Sequence, residues 1–341
     1  MIDTFSFSKF KSNFLQSSPH PLKIDYLGDF GDILFKWYGA TSAPDGSIFF
    51  VPFNSEHVIR FDPSERSFST LGKSLIGSNK WIGGALALNK KIYSFPSFSS
   101  KILEIDTDTL QTHTFGDFKG LYKWNGGILA PNGNIYSIPR DHSDILELNP
   151  VTRETKVICS FAGKDKWRGA VLAPNGRLYF IPSTADSILE LDPLTYKTEL
   201  FGYFPGVAKW YSGTLALNGR IYAIPFSSES ILEIDPLTKQ TKLFGNFTNQ
   251  KLKWRGGVLG LNGKIYAIPH DSPHILEISP DSLSSNLIPT LSSRLKWVGG
   301  VLGSNGKIYA IPSSINTMLE IDTGHQSSSP EVFLSPFSNY F

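Results

Sequence analysis

The sequence predicts an all-β fold, a seven-bladed β-propeller of four-stranded antiparallel blades. Three observations carry that expectation. All seven tryptophans follow a lysine and fall at Trp37, Trp81, Trp124, Trp167, Trp210, Trp254 and Trp297, in steps of 43 or 44 residues. Within each step the same series recurs: a Gly-rich apolar run, an Asn-Gly or Asp-Gly pair, a run ending in proline, then a run such as Ile-Leu-Glu-Ile. No run of ten or more residues with a period of 3.6 is free of Gly, Pro or Asn, which argues against helical solenoids. A parallel β-helix uses much shorter coils. A unit of this length cannot bury its own apolar faces, so copies must pack on one another.

The copy from Lys253 to Pro280 shows each element in order. Trp254-Arg-Gly-Gly-Val-Leu-Gly260 suits a strand pressed against neighbouring backbone. Asn262-Gly263 predicts a type I′ hairpin turn, which needs positive φ at both central residues. Only Asn89-Lys90 departs from the Gly pattern, so that hairpin is expected to be the least tightly specified. Lys264 to Pro269 is the second strand, stopped by a residue that donates no ladder hydrogen bond. His270 to His274 form a polar loop, Ile275 to Ile278 a third strand, and a weaker fourth strand follows, clearest as Thr241-Lys-Leu-Phe244 in the preceding copy. Four short strands per 43–44 residues make one propeller blade.

The expected organisation is a tail over 1–22, the propeller over 23–335 and a short tail over 336–341. The N-terminal tail is Ser-rich, with Phe5, Phe7, Phe10 and Phe14 at no single period, and reads as a mobile or loosely docked extension or, alternatively, as a segment docked through its phenylalanines onto the propeller or a partner. Tyr26-Leu-Gly-Asp-Phe30 matches Leu243-Phe-Gly-Asn-Phe247, and Gly28 stands nine residues before Trp37 as Gly245 does before Trp254. The chain is therefore expected to enter on a fourth strand, with Ile24 to Leu27 closing the last blade beside Met318 to Ile321. Glu331-Val-Phe-Leu334 competes for that place.

A formal net charge of +2 nominates neither nucleic acid nor a membrane surface as partner. The single cysteine, Cys159, permits no internal disulfide, and the N-terminus has no apolar core of the signal-peptide kind, so a cytoplasmic monomer is the expectation. No phosphate loop, H-E-x-x-H or paired C-x-x-C occurs, and Asn246-Phe-Thr248 is a sequon expected to be unused.

In an up-and-down blade the loop from strand four to the next strand one shares a face with the loop from strand two to strand three. The Lys-Trp entrances and the post-proline loops thus open together, and variable loops on a fixed frame are the usual seat of function. Each tryptophan is expected to wedge between blades. Lys36, Lys80, Lys123, Lys166, Lys209, Lys253 and Lys296 are expected either to pair with the third-strand glutamates or to ring the channel mouth. Arg140, Asp141 and His142 of blade three and His270, Asp271 and His274 of blade six, with Arg168 and Arg255 at strand entrances, gather imidazole, carboxylate and guanidinium on that face. These residues are the candidate ligand-binding set, for an anionic or polyhydroxylated ligand over the central opening.

The Gly-Gly-Val-Leu-x-x-Asn-Gly-Lys-Ile-Tyr-Ala-Ile-Pro line, followed by Ile-Leu-Glu-Ile-Asp-Pro, resembles blades of NHL-repeat propellers and of the related SMP-30/gluconolactonase and streptogramin-lyase propellers, from about residue 23 to 325. The enzymes among them imply a divalent cation at the channel mouth, held by carboxylates and an Asn or by His and Glu. Proline stands here where that family often has Asp after the second strand, and neither ligand set maps onto these residues. The leading expectation is a non-enzymatic propeller that binds a protein, peptide or glycan without a cofactor. The alternative is a metal-dependent hydrolase or lyase of that type.

Overall fold

The computed structural model describes residues 6–13, 21–248 and 250–324. Seven four-stranded antiparallel sheets follow one another around a ring. In blade six the strands are Trp254–Leu259, Ile265–Pro269, His274–Ser279 and Ser284–Pro289, innermost to outermost. The first three strands of each blade carry the buried side chains, while the outermost strand is mostly exposed, as in Thr241–Phe244. The core thus lies in the wedges between blades.

The ring closes as the register of the first tryptophan implies. Lys23–Leu27 pairs antiparallel with Met318–Asp322, setting Ile24 opposite Ile321 and Leu27 opposite Met318. An N-terminal segment thereby removes the edge that the last blade would otherwise expose. The competing segment from Glu331 to Leu334 lies outside the described residues. Part of the expected tail docks on the propeller through phenylalanine. Phe7–Asn13 is a single helical segment whose Phe10 is buried in the main core. Phe7 stacks on Phe10 and reaches the Asn218-Gly219 turn of blade five, on the face opposite the post-proline loops.

The hairpin between the two inner strands is not of type I′. Gly263 N–H donates to Gly260 O and Gly260 N–H to Lys264 O, and of the Asn-Gly pair only Gly263 has positive φ. This is a tighter turn followed by one left-handed residue, a three-residue loop closed by a Gly bulge. Asn262 keeps ordinary φ because its side chain is engaged: Oδ1 accepts from Lys264 N and Nδ2 donates to the Tyr266 hydroxyl. Asn89-Lys90 keeps the same frame, with Lys90 itself at φ 60°. The strand leading into that turn is the shortest of its kind, Ala85–Leu86.

The seven indoles are buried, none more than 4 % exposed. Each Nε1 donates to the carbonyl twenty residues ahead, at 2.7–3.0 Å, which ties strand one to the start of strand three. The ring faces fill the wedges: Trp124 meets Phe95 of blade two, and Trp37 packs with Val301 and Ile311 of blade seven.

The lysines before them take neither expected role. They are 0–7 % exposed, and their ammonium groups donate to backbone carbonyls at 2.6–3.1 Å. Lys209 Nζ is held by Ser183 O and Ala185 O of blade four and by Gly206 O of its own loop. Lys36 reaches Ile315 O and so joins blade one to blade seven. The third-strand glutamates pair instead with the cation that follows the hairpin: Lys91 with Glu104, Lys264 with Glu277 and Lys307 with Glu320, each at 2.8 Å. Blade one swaps the charges, with Arg60 on Asp45, and blade three substitutes Asn134 on Glu147. The lysine ring is therefore a structural clamp on backbone carbonyls.

Two outcomes test this reading. Lys209→Met removes the ammonium from Ala185 O and Gly206 O, leaves Ser183 O only the backbone N–H of residue 209, and is expected to cost about 3–5 kcal/mol. The exposed Lys242→Met should stay within about 0.5 kcal/mol of the parent; urea unfolding of both checks the contrast. Deleting residues 1–30 should lower the melting temperature well beyond what deletion of 326–341 does, and calorimetry showing the reverse ranking would assign closure to the C-terminal segment.

Candidate ligand site at the channel mouth

Each innermost strand begins with an irregularity. In blade six Trp254 pairs with Pro269 but Gly257 pairs with Ala267, so two residues, Arg255 and Gly256, stand opposite one. A bulge of this kind bends the strand and re-aims a side chain. It turns the residue after each tryptophan toward the propeller axis. Glycine beside it permits the crowding there: a Cβ on Gly39 would lie 2.9 Å from the Cα of Gly83.

The residues so placed meet across the ring. Tyr38, Phe53, Ile82, Tyr211, Phe226 and Val298 form one buried cluster. They come from blades one, two, five and seven, and blades two and five touch only at the axis. A ligand on this face would rest on this cluster. Phe53 and Phe226 occupy the position after the second-strand proline, where blades two, four and seven have Ser97, Ser183 and Ser313. They were not in the expected site; the change from serine to phenylalanine at one repeat position was the signal.

Arg255 of blade six enters this cluster and is 8 % exposed. Its guanidinium carbon lies 5.2 Å from the Tyr38 ring centre, 4.9 Å from Tyr211 and 5.0 Å from Phe226. Nη1 donates to the Tyr38 hydroxyl, and Nε is buried with no partner. Arg168 of blade four stands on the same two rings of blade five, 5.2 Å from Tyr211 and 5.7 Å from Phe226. Arg168 also donates to Asp165 at 2.7 Å, where Arg140 donates at 3.2 Å. Burial works to raise the Asp165 carboxyl, but the Arg168 hydrogen bond, with the Arg168 and Arg140 charges, holds it below its ordinary value. No carboxylate among the described residues pairs with Arg255.

His270 is fully buried beside Phe226, its ring 6.3 Å away centre to centre. Nδ1 lies 3.2 Å from the Trp297 carbonyl oxygen, and Nε2 has no partner. Burial and the Arg255 charge push its pKa down to about 2, so the ring is neutral. A carbonyl only accepts, so Nδ1 carries the proton and Nε2 presents a lone pair.

The remaining expected residues do other work. Asp271 is buried and accepts from Leu295 N at 2.9 Å and Arg294 Nε at 3.0 Å, fixing the entrance to blade seven. Asp141 accepts from Asp165 N at 2.8 Å in the equivalent way. His142 lies against Trp124, 4.6 Å between ring centres, and its Nδ1 accepts from Asp144 N. His274 contributes its carbonyl to the Trp254 indole. Arg140 covers the Tyr122 ring at 4.4 Å. The structure therefore unites Arg168, Arg255 and His270, with Tyr38 and Tyr211, and assigns Asp141, His142 and Asp271 to loop framing.

No three His, Cys, Asp or Glu side chains among the described residues converge to hold a metal ion.

No protein-family model and no curated protein sequence matches this chain. Solved structures do match in fold. A streptogramin B lyase superposes with a TM-score of 0.74 at 14% identity, covering 88% of this chain and 97% of that one. A catalytically inactive variant of virginiamycin B lyase from Staphylococcus aureus, with quinupristin, gives 0.76 at 11% identity, covering 88% and 99%. The extracellular domain of a hybrid two-component system from B. thetaiotaomicron gives 0.67 at 10% identity, covering 92% of this chain and 44% of that chain. The likeness establishes the propeller of the lyase type as a fold.

The burial of His270 has a measurable sign. Its folded pKa lies below the unfolded value of about 6.5, so only the unfolded chain takes up the proton on acidification. The contribution is whole above pH 6.5 and is lost as pH falls below it, by up to about 1.4 kcal/mol per pH unit. Unfolding free energies of the parent and of His270→Gln should therefore diverge from pH 6 to pH 4, to the parent's disadvantage. A pH-independent difference would place the imidazole in water.

Proposed function

We propose that this protein is a non-enzymatic binding propeller that receives the anionic group of a peptide, glycan or other ligand at the channel mouth. The observation that carries the reading is Arg255, a guanidinium buried among three aromatic rings with a free Nε and no carboxylate partner among the described residues. Burying a cation unpaired costs several kcal/mol, which the aromatic faces offset in part, at about 2 kcal/mol when desolvated. An anion offsets the rest. Arg168, on two of the same rings, shares Asp165 with Arg140, which leaves Arg255 without a carboxylate among the described residues. The loops that would give such a ligand its specificity stand on the same face as Arg255.

The lyase reading rests on the shared fold, and the donors for a metal are not gathered among the described residues. Binding therefore stands as the function the side chains support best.

Calorimetric titration with carboxylates, phosphate esters and acidic peptides at low ionic strength tests the reading. A binder is expected, and Arg255→Gln should weaken it by about 2–3 kcal/mol, roughly a hundredfold. An anion that binds the variant as tightly as the parent, or a panel with no binder, would overturn it.

A further inference from the structure

Two buried polar atoms on side chains beside Phe226 have no partner: Nε of Arg255, which can only donate, and Nε2 of His270, which can only accept. Both groups flank Phe226, the guanidinium carbon 5.0 Å and the imidazole centre 6.3 Å from that ring. A carboxylate alone answers the first and repels the second, because an anion has no proton for a lone pair. A neutral sugar alcohol answers the second and leaves the guanidinium charge uncompensated. The group that answers both is an anion with a hydroxyl close by.

Resting on the anion reading above, we propose that the site selects hydroxy acids, taking the carboxylate on Arg255 and the neighbouring hydroxyl as a donor to His270 Nε2. Sugar acids, terminal acidic residues of glycans and small 2-hydroxy acids share that chemistry. His270 is the specificity determinant and Arg255 the charge anchor. A site whose buried polar atoms are matched by a substrate hydroxyl rejects the analogue lacking it far more strongly than an apolar pocket could, since the acceptor is then left bare. The side-on Nε edge of a guanidinium is also the edge that grips a planar carboxylate. The fully buried setting of His270, which keeps its ring neutral, keeps the lone pair available across the physiological range.

The experiment titrates the full chain with acids paired to differ in one hydroxyl: phenyllactate against 3-phenylpropionate, malate against succinate, and gluconate against 2-deoxygluconate. The hydroxy member of at least one pair should bind ten times more tightly or better, and His270→Phe should shrink that ratio below threefold. The 15N resonance of His270 Nε2 in the parent should move on adding the hydroxy acid and stay in place with its partner. That readout needs no variant to fold. Equal binding within every pair would overturn the hydroxyl selection and leave the anion site standing, as would a ratio that survives His270→Phe. Failure of every acid to bind would overturn both.

Discussion

The fold depends on a buried lysine ammonium held by the backbone of the preceding blade. Wherever strand two ends in proline, the chain turns away from the ladder, and carbonyls such as Ser183 O and Ala185 O point inward without a partner strand. Water cannot reach them, so each needs a donor. The lysine of the next blade supplies up to three, and the same side chain fixes its own loop through the carbonyl three residues back. Burial draws Lys80, Lys123, Lys209, Lys253 and Lys296 down to about 8, while the surrounding oxygens favour the proton. Tryptophan, next in sequence, fills the wedge that this clamp holds shut. Lys and Trp recur as a pair because one satisfies the polar and the other the apolar demand of a single junction.

A second junction operates on the opposite face. Tyr93, Tyr136 and Tyr179 each donate to a proline carbonyl of the following blade, Pro150, Pro193 and Pro236, at 2.9–3.1 Å. The turn asparagine joins the same carbonyl, as Asn132 does at Pro193 O. Blade one has Asp45 and Phe49 at these positions, and there the Asp pairs with Arg60 instead. Where both ends of an interface are clamped, the residues between the clamps are free to vary, and Arg255, Arg168, Tyr38 and Phe226 occupy that freedom.

Periodicity made the frame legible: seven Lys-Trp pairs fixed the blade count, and the offset from Gly28 to Trp37 fixed which segment closes the ring. The hairpin type was misread because Asn262 has a second use, holding the Tyr266 hydroxyl, that a dipeptide does not display. The lysine clamp was hidden for a related reason, since its acceptors are carbonyls that every residue possesses. Within the site, charge and imidazole on the loop face were visible, and Arg168, Arg255 and His270 were among them. Their assembly was not, because Arg255 meets Tyr38 217 positions away and blade five brings two aromatic rings between the arginines. Sequence also could not separate His270, which faces the axis, from His142, which lies against its own blade's indole.

Closure by Lys23–Leu27 sets an order of events during synthesis. Lys23–Leu27 is made before the seven innermost strands and its partner Met318–Asp322 after them, so it waits without that partner while the blades between are made. The acceptor for Lys36, Ile315 O, also arrives late, which leaves the first blade's clamp open until then. Interior blades acquire their neighbours as they emerge and can accumulate stability step by step. Among the described blades, this junction brings together the two segments farthest apart in sequence, and it carries the largest loop-closure entropy of the seven.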